Sequence, residues 1–325
     1  MARAEHVRVT RDAVARRAGV STATVSRVYN APERVSPDKT QQVRRAAAAL
    51  GYVPDKSASA LRRRGTGRIT LLERQGRAAH RDDRIYKWFY SDMIRGIRTA
   101  LEPSMYQLDL ATFRAPDDAD ALTAPVLGDG VLLHEADEAV LDRLRRRDVP
   151  YVCCGQLEPP TGVQACFTDN RRGGRAAARA FRRTGHKHPA HITGRLASMN
   201  VCQLRWEGFC DAFAGCDVRL IDGGRDGLGV RGGWASVRQL IPDIHEGRID
   251  CIFVVNDLTA VGVVYGLLDA GLRVPEDVSI IGYDNLPFLE TLPIKLATID
   301  ISYEAVYHRA TERLLEHLRA PTAIR

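Results

Sequence analysis

The stretch TRDAVARRAGVSTATVSRVYN, Thr10 to Asn30, decides the reading of this chain: two short apolar runs are separated by a glycine and then resume at helical spacing. Ala13, Val14, Ala15 and Ala18 line one face of a first helix, and Thr10 stands where an N-cap belongs. Gly19 supplies a left-handed stop. Ser21 caps a second helix whose Val25 and Val28 face inward, while Thr22, Ala23, Ser26 and Arg27 point elsewhere. Small Ala15 lets the two helices approach closely, as the tight corner of a helix-turn-helix requires. On spacing alone, a helical hairpin that merely caps a core fits equally well.

The neighbouring sequence separates the two readings. Ser36-Pro37 opens a third helix, with Val43, Ala46, Ala47 and Leu50 along one face and Gly51 at its end. Residues 1–68 hold fifteen Lys and Arg against five Asp and Glu, a net of +10; the whole chain is +7, so the remainder carries −3. A basic three-helix unit has the electrostatic footprint of a DNA-binding module, because phosphate neutralisation and counterion release supply most sequence-independent affinity.

With 325 residues, the chain suits a small head and a larger body rather than one core. The N-terminus has no apolar signal core and no later apolar run would span a bilayer, so the expectation is a soluble cytoplasmic protein without membrane contact. The seven cysteines form neither a CxxC pair nor a His-Cys metal spacing, and a disulfide framework or metal site is not expected. His186 and His188 read as parts of a surface turn. From Ile69 onward, β-branched runs (ITLL, QLDLAT, GVLL, PYVCC, AHIT, CIFVV, VSIIGY) alternate with helical segments at 91–101, 138–147, 173–183, 203–213, 234–241, 258–270 and 303–318. That alternation predicts an α/β body with parallel sheets. GRDGLGVRGG, Gly224 to Gly233, lacks the strand-then-helix context of a phosphate loop and reads as a flexible loop. No nucleophile elbow or metal-protease motif is present, so neither catalysis nor a cofactor is expected. Asp257 and Asp284, at strand ends, fit acceptors for ligand hydroxyls better than catalytic carboxylates.

These residues carry a family resemblance. The helix pair, then RVS at Arg34, LGYVPDKSASALR at Leu50 to Arg62, TDN at Thr168, TGH at Thr184, RWEGF at Arg205, ND at Asn256 and GLRVPEDVSIIGYDN at Gly271 to Asn285 resemble the lactose-repressor (LacI/GalR) family of bacterial transcription regulators. The resemblance implies a helix-turn-helix domain at 1–53, a hinge helix or linker at 54–68, and a two-lobed, periplasmic-binding-protein-like effector and dimerisation domain at 69–325. The chain would cross between the lobes about three times.

It further implies a homodimer on a palindromic operator, probing double-stranded DNA with the helix from Ser21. Thr22 and Ala23 align with base-reading positions, and Arg27 is the residue suited to bidentate guanine contact. Thr10, Ser21, Thr24 and Asn30 suit phosphates and capping, with Ser26 on the same outer side. Ser57, Ala58 and Leu61 fall in the hinge, where Leu61 matches a minor-groove wedge. A small-molecule, sugar-like effector would meet Asn256, Asp284 and Gln203, with Phe89 and Tyr90 as stacking aromatics. The pattern is broken at Gln203, which replaces an arginine, at Ile301, which replaces a glutamine, and at Asp55, which replaces an asparagine. Arg205 matches a second arginine that supports the fold. Lys87 and Trp88 read either as effector contacts or as loop surface.

Overall fold

The computed structural model describes residues 10–30, 32–52, 65–74, 83–113, 127–134, 138–156, 160–198, 200–213, 215–224 and 227–319. The chain divides into two compact units, Met1–Thr66 and Gly67–Arg325.

In the smaller unit, α1 (Arg11–Arg17), α2 (Thr22–Asn30) and α3 (Pro37–Leu50) enclose one core. Val14, Ala15, Ala18, Val25, Val28, Val43, Ala46 and Ala47 are its buried residues, the ones the helical spacing points inward. The boundaries follow from the caps. Ala13 N–H donates to Thr10 Oγ1 at 3.3 Å and Thr24 N–H to Ser21 Oγ at 3.1 Å, each satisfying a donor that a helix start leaves unpaired. Gly19 sits at φ 56° and Gly51 at φ 64°, in the left-handed region where a side chain would crowd its own backbone.

The larger unit contains two five-stranded sheets. β1 (Arg68–Arg74), β2 (Gln107–Phe113), β3 (Gly130–His134), β4 (Tyr151–Gly155) and β5 (Ala165–Phe167) form the first, in the order β2-β1-β3-β4-β5. The second runs β10-β9-β8-β6-β7, from β6 (Pro189–Thr193), β7 (Arg219–Asp222), β8 (Cys251–Val254), β9 (Ser279–Asp284) and β10 (Ala297–Asp300). All strand pairs are parallel, with Ile69 opposite both Leu108 and Gly130. Central strands such as β3 and β8 are buried throughout, as expected for sheets covered on both faces.

The helices are α4 (Asp83–Leu101), α5 (Glu138–Arg146), α6 (Asn170–Arg183), α7 (Asn200–Ala212), α8 (Gly229–Val237), α9 (Ile241–His245), α10 (Asp257–Asp269) and α11 (Tyr303–Arg319). The chain leaves the first sheet after β5, builds the second, and returns in α11, which packs on α4 and on β3, β4 and β5. The described chain makes this crossing twice, where the family resemblance implies about three; α11 stays on the first sheet through Arg319.

Two further expectations are corrected. The glycines of 224–233 do not all belong to a loop: α8 begins at Gly229, and a Cβ on Gly233 would lie 2.0 Å from Thr259 O. These glycines allow α8 and α10 to touch backbone to backbone. β5, β7 and β10 were absent from the predicted strands because each has only three or four residues and at most one buried side chain. His186 lies between α6 and β6, in the expected turn, with Nδ1 2.8 Å from Thr184 Oγ1.

Candidate functional site

Two groups of residues stand out, one in each unit. In the smaller unit, α2 buries Val25 and Val28 and leaves Thr22, Ala23 and Arg27 exposed. Thr24 is tied to the cap, its hydroxyl 2.9 Å from Ser21 Oγ, and Ser26 is half-buried. A helix with this division presents short polar groups, a methyl and one guanidinium to solvent. That set can read base edges in a major groove, whose thymine methyls and guanine acceptors match it. Thr10 caps α1 at the unit's edge. Ser57, Ala58 and Leu61, and the side chain of Asn30, lie outside the described residues.

In the larger unit, the focus is Arg205, which is 3% exposed on α7. Its Nε donates to Asn170 Oδ1 at 2.9 Å, Nη1 to Val255 O at 2.5 Å and Nη2 to Gln156 Oε1 at 3.0 Å. The guanidinium carbon lies 3.6 Å from the centre of the Tyr283 ring. Gln156 follows the first sheet's β4, Val255 follows the second sheet's β8, and Asn170 opens α6 between them. Asn170 Nδ2 in turn donates to Gln156 O at 2.7 Å. One buried cation thus joins strand ends of both sheets, and ligands of open parallel sheets bind outside the carboxyl ends of strands.

Asp284 closes β9 beside this hub. Its Oδ1 is 3.7 Å from Arg205 Nη2, and that buried oxygen accepts no hydrogen bond among the described residues. Burial pushes its carboxyl up to about 8; Arg205 opposes the rise and Asp257 adds to it. Its backbone is at φ 115° and Asn285 follows at φ 57°. Non-glycine residues held there are strained, at a cost of roughly 1–3 kcal/mol each, and such strain gathers at ligand sites.

Asp257 differs in kind. Its Oδ1 accepts from Thr298 Oγ1 at 2.7 Å and its Oδ2 from Leu286 N–H at 2.8 Å, so its hydrogen bonds tie α10 to strand β10 and to the segment after β9. Burial raises it to about 6 against those bonds. Asn256 caps α10, its Oδ1 accepting from Thr259 N–H at 2.8 Å.

The remaining sequence candidates are more dispersed. Gln203 is exposed and donates to Glu207 Oε1 at 3.0 Å. Phe89 is 8% exposed and stacked on Tyr303 with centroids 4.6 Å apart, inside the core. Tyr90, half-buried next to it, has its hydroxyl pKa raised by burial and by Glu73. Ile301 is buried in that same core, so packing replaces polarity there. The side chains of Lys87 and Trp88 lie outside the described residues. Gln156 and Asn170 were not among the sequence candidates; the TDN motif that contains Asn170 was the signal available.

Comparison with known proteins follows the same division. Residues 11–55 match "Bacterial regulatory proteins, lacI family" and residues 178–325 match "Periplasmic binding protein-like domain". The HTH-type transcriptional regulator CelR of Thermobifida fusca is 30% identical over 326 residues, covering 97% of this chain and 93% of that protein. The ribose operon repressor of Escherichia coli K12 is also 30% identical, covering 94% of each. Among solved structures, a CelR–cellobiose complex superposes with a TM-score of 0.62 at 28% identity, covering 96% of this chain and 93% of that one. The lac repressor dimer bound to operator and the anti-inducer ONPF shares the fold, with a TM-score of 0.67 at 22% identity and coverage of 97% and 94%.

Proposed function

This chain belongs to the lacI family of bacterial regulatory proteins, and from that premise we propose a homodimeric repressor that binds a palindromic operator and is gated by a small polar effector. The observation that carries the proposal is the division of α2: Val25 and Val28 buried, Thr22, Ala23 and Arg27 outward, on a segment carrying +10. Arg27 specifies by bidentate contact, Thr22 and Ala23 by methyl and hydroxyl contact, and Thr10, Ser21, Thr24, Ser26 and Asn30 position the helix on phosphates. Ser57, Ala58 and Leu61 complete the contact through the hinge, 54–68, between a head at 1–53 and a body at 69–325.

Dimerisation is supported by an exposed apolar face on α8 and α10, where Val230, Trp234, Tyr265 and Leu268 are 37%, 37%, 46% and 41% exposed. Exposed large apolar side chains on two packed helices are what an association surface offers. Two-fold protein symmetry then selects two-fold DNA symmetry.

The effector is assigned to the strand ends around Arg205, with Asp284, Asn256 and Gln203 as polar partners and Tyr90 on the aromatic side, backed by Phe89, which packs on Tyr303 in the core. The unpartnered Asp284 oxygen supports a hydroxyl-rich ligand, since a carboxyl group can accept from such a ligand. CelR is solved with cellobiose, and a saccharide is accordingly the first class to test. The effector acts only through its different affinity for the two arrangements of the body. No chemical step is assigned: the protein is a regulator rather than an enzyme, acting in the cytoplasm where its DNA lies. Among the described residues no helix is long and apolar enough to cross a membrane.

Mixing the protein with a random pool of duplexes at physiological salt tests the reading. A retained palindrome is the expected result, and retention without sequence enrichment overturns it. Because Gln203 is engaged with Glu207 and Ile301 is buried, a regulator without effector response is the second reading. Thermal-shift titration with saccharides and nucleosides separates the two, because a ligand of the native state raises the melting temperature with concentration.

A further inference from the structure

α6 carries a charge pattern that operator reading and effector binding leave unused. Residues 170–188 hold six arginines and Lys187 with no Asp or Glu, in a body whose net charge is negative. Gly173, Gly174, Ala177, Ala178 and Phe181 form the buried face of the helix. One flank is tied to α7: Arg171 and Arg175 reach Asp211 at 3.1 and 3.5 Å, and Arg182 Nη1 donates to Ala212 O at 2.7 Å.

Arg172, Arg179 and Arg183 are different. Spaced by seven and then four residues, they fall within about 20° of one line on the outermost side of the helix, and the line is about 16 Å long. All three are exposed, and none makes a side-chain hydrogen bond or ion pair among the described residues. Elsewhere the body pairs several surface arginines, Arg145 with Glu138 and Asp142, Arg309 with Glu312, Arg95 with Asp92 and Glu304, and leaves others such as Arg98, Arg219 and Arg231 exposed and unpaired among the described residues. α6 differs in aligning three such guanidinium groups on one side of a single helix, past the Asp169 that caps its first turn.

The stripe's surroundings select its partner. No large apolar side chain is exposed on α6 among the described residues. Protein interfaces centre on buried aromatic or aliphatic anchors, and charge alone makes a poor one. A phosphodiester backbone needs no such anchor, and arginine forks suit phosphate oxygens. We propose that α6 is a second, sequence-independent contact for duplex DNA, distinct from the helix-turn-helix unit.

The test uses the full chain and a mixed-sequence, non-palindromic duplex of about 40 base pairs, titrated by fluorescence anisotropy from about 50 to 200 mM salt. Each phosphate contact adds about 0.9 to the slope of log affinity against log salt, so Arg172→Gln/Arg179→Gln/Arg183→Gln is expected to lower the slope by about 2 to 3. Arg98→Gln/Arg219→Gln/Arg231→Gln removes the same charge from other exposed positions and is expected to leave the slope unchanged. An Arg→Lys triple on α6 keeps the charge and is expected to keep most of the slope. A wild-type slope in the α6 Gln triple, or an equal drop in both Gln triples, overturns the proposal.

Discussion

Arg205 Nη2 and Asp284 Oδ1 stand 3.7 Å apart, within ion-pair range once the acid ionises and too far to share a hydrogen bond. Arg205 spends its donors on Asn170, Val255 and Gln156, while the Asp284 oxygen beside it accepts none among the described residues. The cation is committed to holding strand ends together, and the acid is the group of this cluster that the fold leaves without a hydrogen bond at Oδ1 among the described residues.

Stability should register the acid directly. Burial raises Asp284 to about 8 in the folded chain, so the fold binds a proton that the unfolded chain has released. Such a group stabilises most at low pH and loses that contribution as pH rises through 8. His191, which burial lowers to about 3, has the opposite slope, confined below its unfolded value of 6.5. Between pH 6.5 and 8 the melting temperature should therefore fall with pH, and in Asp284→Asn that fall should be reduced. An identical profile in the variant would contradict the assignment.

Arg27 is exposed on the outer side of α2. Arg27→Ala should relax sequence preference at one position of each half-site, losing about 1–3 kcal/mol of discrimination there while the fold melts as before. Quantitative binding to single-substituted operators measures it; unchanged discrimination at every position would remove Arg27 as a reader.

The contact of α8 with α10 depends on missing side chains. A Cβ on Gly262 would lie 1.9 Å from Val230 O. Gly262→Ala should destabilise by about 1–3 kcal/mol through overpacking, despite alanine's better helix propensity. Denaturant unfolding reads this as a lower midpoint.

On the outer side of the same helices, Tyr265 and Leu268 are exposed. Tyr265→Glu/Leu268→Glu puts two carboxylates on the proposed dimer face. Sedimentation should report a monomer that stays folded by circular dichroism, since neither side chain is in the core, and that has lost the concentration dependence of the wild-type melting temperature; a dimer of wild-type affinity would move the interface elsewhere.

What the sequence disclosed and what it withheld follow from the range of the interactions. The head was legible because its signals are local: Thr10 and Ser21 cap helices three residues ahead, and Gly19 turns at φ 56°. The central strands were legible as apolar runs. The Arg205 hub was not, because its partners lie 35, 49 and 50 residues away and only the crossing between sheets brings them together. Glycine misled in one place. In α8 it reads locally as freedom, whereas Gly233 serves close packing on α10.

Coupling between the Asp284 site and DNA is the central claim, and operator affinity measured with and without a saturating saccharide found by thermal shift tests it most directly. The wild-type operator Kd should change at least about fivefold, the lower end of usual allosteric coupling, and in Asp284→Asn at the same saccharide concentration the change should collapse. A saccharide that binds the wild type and leaves its operator Kd unchanged would contradict the account.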